Sequence, residues 1–205
     1  MDSGQKELHV ISILVPPLYA RITEVAKREI ERRQVMIESQ FKGNIGMFLV
    51  CAELSKRNLI AMPTSRNTKG YDIVVLDPKT NAAVGIQIKC TDRKEFPVLS
   101  TNWRDYEDKI TEKIVSDFVF VDISDLDKPN YFIMADTEVK DLLKSSIKKY
   151  ASDYEGRHGL SWESMLDKEM TEKRKPNLWV VSLKHIEAYK DRWETITNTL
   201  RTPRH

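Results

Sequence analysis

Tyr71-Asp-Ile-Val-Val-Leu-Asp-Pro-Lys-Thr-Asn-Ala-Ala-Val-Gly-Ile-Gln-Ile-Lys89 is the stretch that decides the fold. Two runs rich in Val and Ile flank Asp-Pro-Lys-Thr-Asn, a turn-forming sequence, and the whole reads as a β-hairpin. Folded symmetrically about Lys79 and Thr80, its residue pairs sum to 159. Tyr71 then meets Ile88, Ile73 meets Ile86 and Val75 meets Val84, all on one apolar face. On the other face Asp72 meets Gln87, Val74 meets Gly85 and Leu76 meets Ala83. Side chains alternate along a strand, so a single register sorts both strands together. Opposed Cβ atoms lie roughly 5 Å apart, which sets Asp72 beside Gln87 with Lys89 on the diagonal.

Three polar groups converging on an apolar hairpin need a cause. A buried carboxylate is costly unless it is paired or bound to a metal. Two readings stand side by side: an Asp72–Lys89 ion pair at a sheet edge, and a metal-assisted site.

Composition narrows the setting. The chain has 205 residues, 40% hydrophobic and 31% charged, which suits a folded chain with a core of its own. The balance of 33 basic against 31 acidic residues, net +2, is not the field of a non-specific DNA coat. Contacts to nucleic acid would have to come from local clusters: Lys56 with Arg57, Arg66 with Lys69, Arg93 with Lys94, and Lys148 with Lys149. Each taken alone is an ordinary solvated pair. Cys51 and Cys90 have no motif spacing and read as reduced thiols. No apolar run is long enough to span a membrane and no leader is recognised, so a cytoplasmic protein without a membrane partner is expected.

Outward from the hairpin, the pattern predicts a charged helix from Leu18 to Gln40. It is either an arm for dimerisation or DNA contact, or an ordinary packing helix, and the packing helix is favoured. Gly43 is expected to break it, with Asn44 capping a second helix over Ile45–Arg57 that is apolar most of the way round. Strands are expected at Leu59–Met62, Phe118–Ile123, Tyr131–Ala135 and Leu178–Val181. Helices are expected at 138–150, capped by Thr137, and at 183–200, capped by Ser182. A polar surface excursion should occupy Ser152–Pro176. The division expected is an N-terminal helical arm over 1–41 and a main domain over 42–205. No histidine pairs with another ligand at zinc spacing, and there is no P-loop or nucleophile elbow.

Several segments carry a resemblance. They are Lys42-Gly-Asn-Ile-Gly-Met-Phe-Leu-Val-Cys-Ala-Glu-Leu-Ser-Lys-Arg57, then Thr68-Lys-Gly-Tyr-Asp-Ile-Val-Val75, then Val84-Gly-Ile-Gln-Ile-Lys89. In this order they resemble the core of the PD-(D/E)XK, or restriction-endonuclease-like, nucleases. Phe118-Val-Phe-Val-Asp122, Tyr131-Phe-Ile-Met-Ala135 and Tyr189-Lys-Asp-Arg-Trp193 resemble a group of bacterial proteins within that superfamily. The resemblance implies an α/β fold with a central mixed sheet of about five strands flanked by helices. It also implies catalytic roles for Asp72, Gln87 and Lys89. Asp72 and Gln87 would hold magnesium or manganese, and Lys89 would orient the attacking water and support charge on the phosphate. The partner would be DNA, with Arg66, Lys69 and Arg93 on phosphates beside the scissile bond.

One position departs from the pattern. Similar sequences often carry Glu where this chain has Met47, and a thioether does not ligate magnesium. Glu53 lies about 240° round the helix from Met47, and Glu38 would have to fold back; these are the substitute carboxylates. Two functions follow: a magnesium-dependent DNA endonuclease, and a catalytically degenerate nuclease fold that binds nucleic acid or a protein without cutting. A homodimer through the N-terminal helix is compatible with either.

Overall fold

The computed structural model describes residues 40–65, 68, 70–101, 105–159, 161, 164 and 177–202. The chain divides into two compact units, Met1–Gln40 and Phe41–His205. The predicted helix from Leu18 falls outside the described residues except at Gln40, as do Glu38, Arg66 and Lys69.

Within the larger unit, helix α1 runs over 41–55 without a break at Gly43 or Asn44. Asn44 is therefore a helical residue and not a cap. A Cβ on Gly43 would meet nothing within 4 Å, so the glycine's penalty of about 1 kcal/mol is the whole obstacle, and the helix continues through it. The expectation of a helix buried all round also needs correction. Val50 and Leu54 are fully buried, while Phe48 is 62% and Phe41 59% exposed. The helix ends in a turn at 56–58, where Asn58 takes φ +59°, a left-handed cap suited to asparagine.

Strands β1 (Ile60–Pro63), β2 (Ile73–Leu76) and β3 (Ala83–Thr91) follow. The β2–β3 ladder pairs Ile73 with Ile86, Val74 with Gly85, Val75 with Val84 and Leu76 with Ala83, the register summing to 159. Asp77 closes the turn: its N–H donates to Ala82 O (2.9 Å), its carboxylate accepts Lys79 N–H (2.9 Å), and Asn81 sits at φ +58°.

Next come β4 (Glu95–Thr101), helix α2 (Tyr106–Lys113), β5 (Asp117–Asp122), β6 (Asn130–Met134) and helix α3 (Asp136–His158). After β7 (Asn177–Ser182) lie a single turn α4 (Leu183–Ile186), a 3-10 turn (Glu187–Tyr189) and helix α5 (Glu194–Arg201). The main sheet has the order β1-β2-β3-β5-β6 and is mixed: β3 and β5 are parallel and the other neighbours antiparallel. Strand β7 pairs with β4 in a separate two-stranded sheet.

Alternation splits the core in two. On one face Ile73, Val75, Ile86, Ile88, Val119, Val121 and Ile133 pack against Val50 and Leu54 of α1 and Trp193, Ile196 and Leu200 of α5. On the other, Phe118, Phe120, Phe132 and Met134 meet α2, α3 and the β4–β7 pair. No helix among the described residues is long and apolar enough to cross a membrane.

Two expectations about the later elements are corrected. Helix α3 starts at Asp136, where Glu138 accepts the Ala135 N–H (2.8 Å), and continues to Gly159 at φ +63°, well into the stretch read as a surface excursion. The predicted helix over 183–200 is interrupted: Lys190 bridges Phe132, Asp191 takes φ +54° and donates its N–H to Tyr131 O (2.8 Å). Docking on the β6 edge outweighs helical continuity there. Strand β4 was not foreseen.

Candidate functional site

The hairpin ladder stops at Ile73, one residue short of the pairing expected for Asp72 and Gln87. Asp72 donates its N–H to Ile86 O (2.8 Å), although Ile86 is already the register partner of Ile73. Two consecutive residues thus address one, as in a β-bulge, and the strand bends. Tyr71 was expected beside Ile88 on the apolar face. Its ring lies over Gly85 instead, where an added Cβ would fall 2.7 Å from the ring. Glycine at 85 is what lets the chain cross here. Gly70, at φ +93°, completes the crossing, and its carbonyl accepts the Ser116 hydroxyl (2.6 Å).

Strand β3 continues past this point with no β2 residue beside it. The Ile88 N–H on that edge would lack a partner, and Asp72 Oδ2 accepts it at 2.7 Å. Gln87 Nε2 donates to the same oxygen. Asp72 Oδ1 has no hydrogen-bond partner among the described residues. Gln87 and Lys89 are the β3 neighbours of Phe118 and Phe120, so both project from the face opposite α1.

Lys89 is half-buried. Burial lowers its pKa, and the charge of Asp72 opposes that shift. No described carboxylate lies within the 4 Å of an ion pair, so the expected Asp72–Lys89 contact is a longer-range attraction. The structure thus brings Asp72, Gln87 and Lys89 to one end of the hairpin, with Asp72 joined directly to Gln87.

The remaining candidates are placed as follows. Met47 is half-buried against the apolar cluster under α1. Its neighbour Gly46 abuts β3: a Cβ there would fall 2.5 Å from Cys90 Cβ and 3.7 Å from Ile88 Cγ2. Helix α1 therefore crosses β3 beside the residue whose N–H Asp72 binds. Glu53 is held elsewhere, by Lys56 Nζ (2.6 Å) and Arg57 Nη1 (2.7 Å), and those cations lower its pKa. Arg57 itself stacks 4.4 Å over the Trp193 ring. Arg93 is exposed in the bend between β3 and β4, with its N–H on Thr91 Oγ1 (3.1 Å). Among the described residues no three His, Cys, Asp or Glu side chains gather at one point.

Whether this set suits a hard divalent cation turns on its oxygens. Magnesium takes one or two carboxylates, keeps several waters and completes its shell with substrate phosphate. Asp72 Oδ1 is available on that count. Gln87 now presents its NH2, but the amide is close enough that a half-turn would bring Oε1 beside the carboxylate. Two protein oxygens can therefore converge, and the set fits a water-rich cation.

Sequence reasoning missed Ile88, whose main-chain N–H anchors Asp72. The register gives no sign of it, because it arises only where the ladder fails. Comparison with family models, curated proteins and solved structures gave no match.

Proposed function

We propose that this protein is a nuclease-like domain that binds DNA at the Asp72–Gln87–Lys89 end of the hairpin and hydrolyses a phosphodiester there with magnesium or manganese. The observation that carries the reading is a half-buried Lys89 ammonium, without an ion-pair partner among the described residues, beside an Asp72–Gln87 pair that can turn two oxygens to one point. In this role the ammonium would meet phosphate oxygens, and Asp72 would help hold the cation. Arg93 on its exposed bend, with Arg66 and Lys69, would bind flanking phosphates.

A second reading is a nuclease-like fold that binds without cutting. It is favoured by one observation: Met47, where the resemblance expects the helix carboxylate, packs against the apolar cluster under α1, and Glu53 is tied to Lys56 and Arg57. Both readings are tested by incubating linear and supercoiled DNA with manganese and with wild type, Lys89→Ala or Asp72→Asn, while binding is followed against salt. Cutting by wild type alone supports the enzyme. Binding without cutting, weakened in the Arg66, Lys69 and Arg93 alanine triple variant with a shallower salt slope, supports the binder. No binding of either form sinks both.

A further inference from the structure

The contact between Gln87 and Asp72 sets a condition on any cation that enters. Gln87 Nε2 and the Ile88 N–H both donate to Asp72 Oδ2. An amide turned by half a rotation would set Oε1 against that oxygen, and two acceptors repel unless a cation lies between them. Which amide atom faces the carboxylate is therefore decided by what else occupies the site.

We propose that Gln87 is a cation-coupled latch. Without a divalent ion its NH2 closes on Asp72. With one, the amide turns and its oxygen joins Asp72 on the ion. This rests on the reading of Asp72 as a cation-holding carboxylate. It gives glutamine at 87 a purpose that glutamate would not serve. A second carboxylate there would face Asp72 in the resting protein, and one of the two would tend to protonate. With glutamine the resting site is a satisfied, hydrogen-bonded pair. The consequence is weaker cation binding, because a hydrogen bond to a charged group must break first. That is on the order of ten- to hundredfold in affinity. Phosphate oxygens supplied by a substrate complete the shell of a magnesium ion, so nucleic acid should tighten cation binding further.

The test uses the full chain labelled with nitrogen-15. The Gln87 side-chain NH2 signals are assigned by their loss in Gln87→Glu. Magnesium should shift both signals and hasten their exchange with solvent. Manganese should broaden the Ile88 amide, and Gln87→Glu should bind manganese ten- to hundredfold more tightly by spin resonance. If manganese broadens Ile88 while magnesium leaves the Gln87 signals unmoved, the latch is wrong and the cation site stands. If manganese broadens nothing near Ile88, the cation reading falls and the latch falls with it. Should Gln87→Glu fail to fold, the Gln87 region can be assigned from Gln87→Asn and the wild-type shifts decide alone.

Discussion

Asp72 serves β3 as well as the candidate site, and the two duties can be separated. Its Oδ2 takes the Ile88 N–H that the end of β2 leaves without a strand partner. Asp72→Asn keeps an oxygen in place for that N–H, whereas Asp72→Ala leaves it unmet. Alanine should therefore destabilise by about 1–3 kcal/mol more than asparagine, measured by urea unfolding, while both abolish any cation-dependent shift in melting temperature. Equal stability of the two variants would mean the N–H finds water and Asp72 is not holding the strand. One step along β3, Cys90 sits under Gly46, and burial pushes its pKa from 9.0 up to about 11. The folded protein thus keeps a proton that the unfolded chain begins to lose near pH 9, and ν for the folded state exceeds that of the unfolded one. This contribution is whole below pH 9 and is lost as pH rises toward 11. Between pH 8 and 10.5 wild type should lose on the order of 1–2 kcal/mol more than Cys90→Ala. Parallel losses in the two proteins would show that the thiol is as open as a free one.

At the scale of elements, the placement of α1 makes Met47 testable. Gly46 lies against the side chains of Cys90 and Ile88, on the face of β3 opposite Gln87 and Lys89, so a carboxylate at 47 reaches Asp72 only round the edge of β3. Met47→Glu should lower the melting temperature without metal, because a carboxylate would be half-buried against the apolar cluster under α1. Manganese should restore it, since an ion that binds only the folded form stabilises by mass action, and the gain should exceed that of wild type. A gain no larger than wild type's would remove Met47 from the ligand position. The hairpin register was legible because period-two alternation and a symmetric turn leave one solution over Ile73–Leu76 and Ala83–Ile86. Where alternation stops being the controlling force, reading failed. Tyr71 and Asp72 leave the ladder because Gly85 lets the chain cross, which a pairing rule does not encode. Strand β4 is hard to read because Pro97 and polar neighbours hide its pattern, and its strand partner among the described residues is β7, far along the chain. Gly43 is a breaker by type that α1 runs through, and Asp191 is a break at φ +54° that its residue type does not announce.

For the whole molecule, the question is what makes two cores on opposite sides of one sheet behave as a single body. Asp117 is 1% exposed at the start of β5. Its Oδ1 accepts the Asp136 N–H (3.1 Å) at the start of α3, which packs on the Phe118 side. Its Oδ2 accepts the Thr199 hydroxyl (2.7 Å) of α5, which packs on the Ile88 side. One carboxylate, at the first residue of the interior strand β5, thus joins elements from both layers of the sheet that separates them. Asp117→Ala would leave the buried Asp136 N–H short of an acceptor, while the Thr199 hydroxyl keeps Thr195 O (3.1 Å). A loss on the order of 1–3 kcal/mol is expected. Asp117→Asn keeps one acceptor and should lose less. The form of the unfolding curve carries the further information. If the layers are coupled mainly through the shared strands β3, β5 and β6, the alanine variant should shift its urea midpoint while keeping the wild-type slope. If Asp117 itself is the coupling, the slope should fall and tryptophan fluorescence should split into two transitions, because Trp193 belongs to one core and Trp179 packs against the other. The shared-strand outcome is expected, since Val119, Val121 and Ile133 face one core while Phe118, Phe120 and Phe132 of the same strands face the other, and neither core can be exposed without unpairing them.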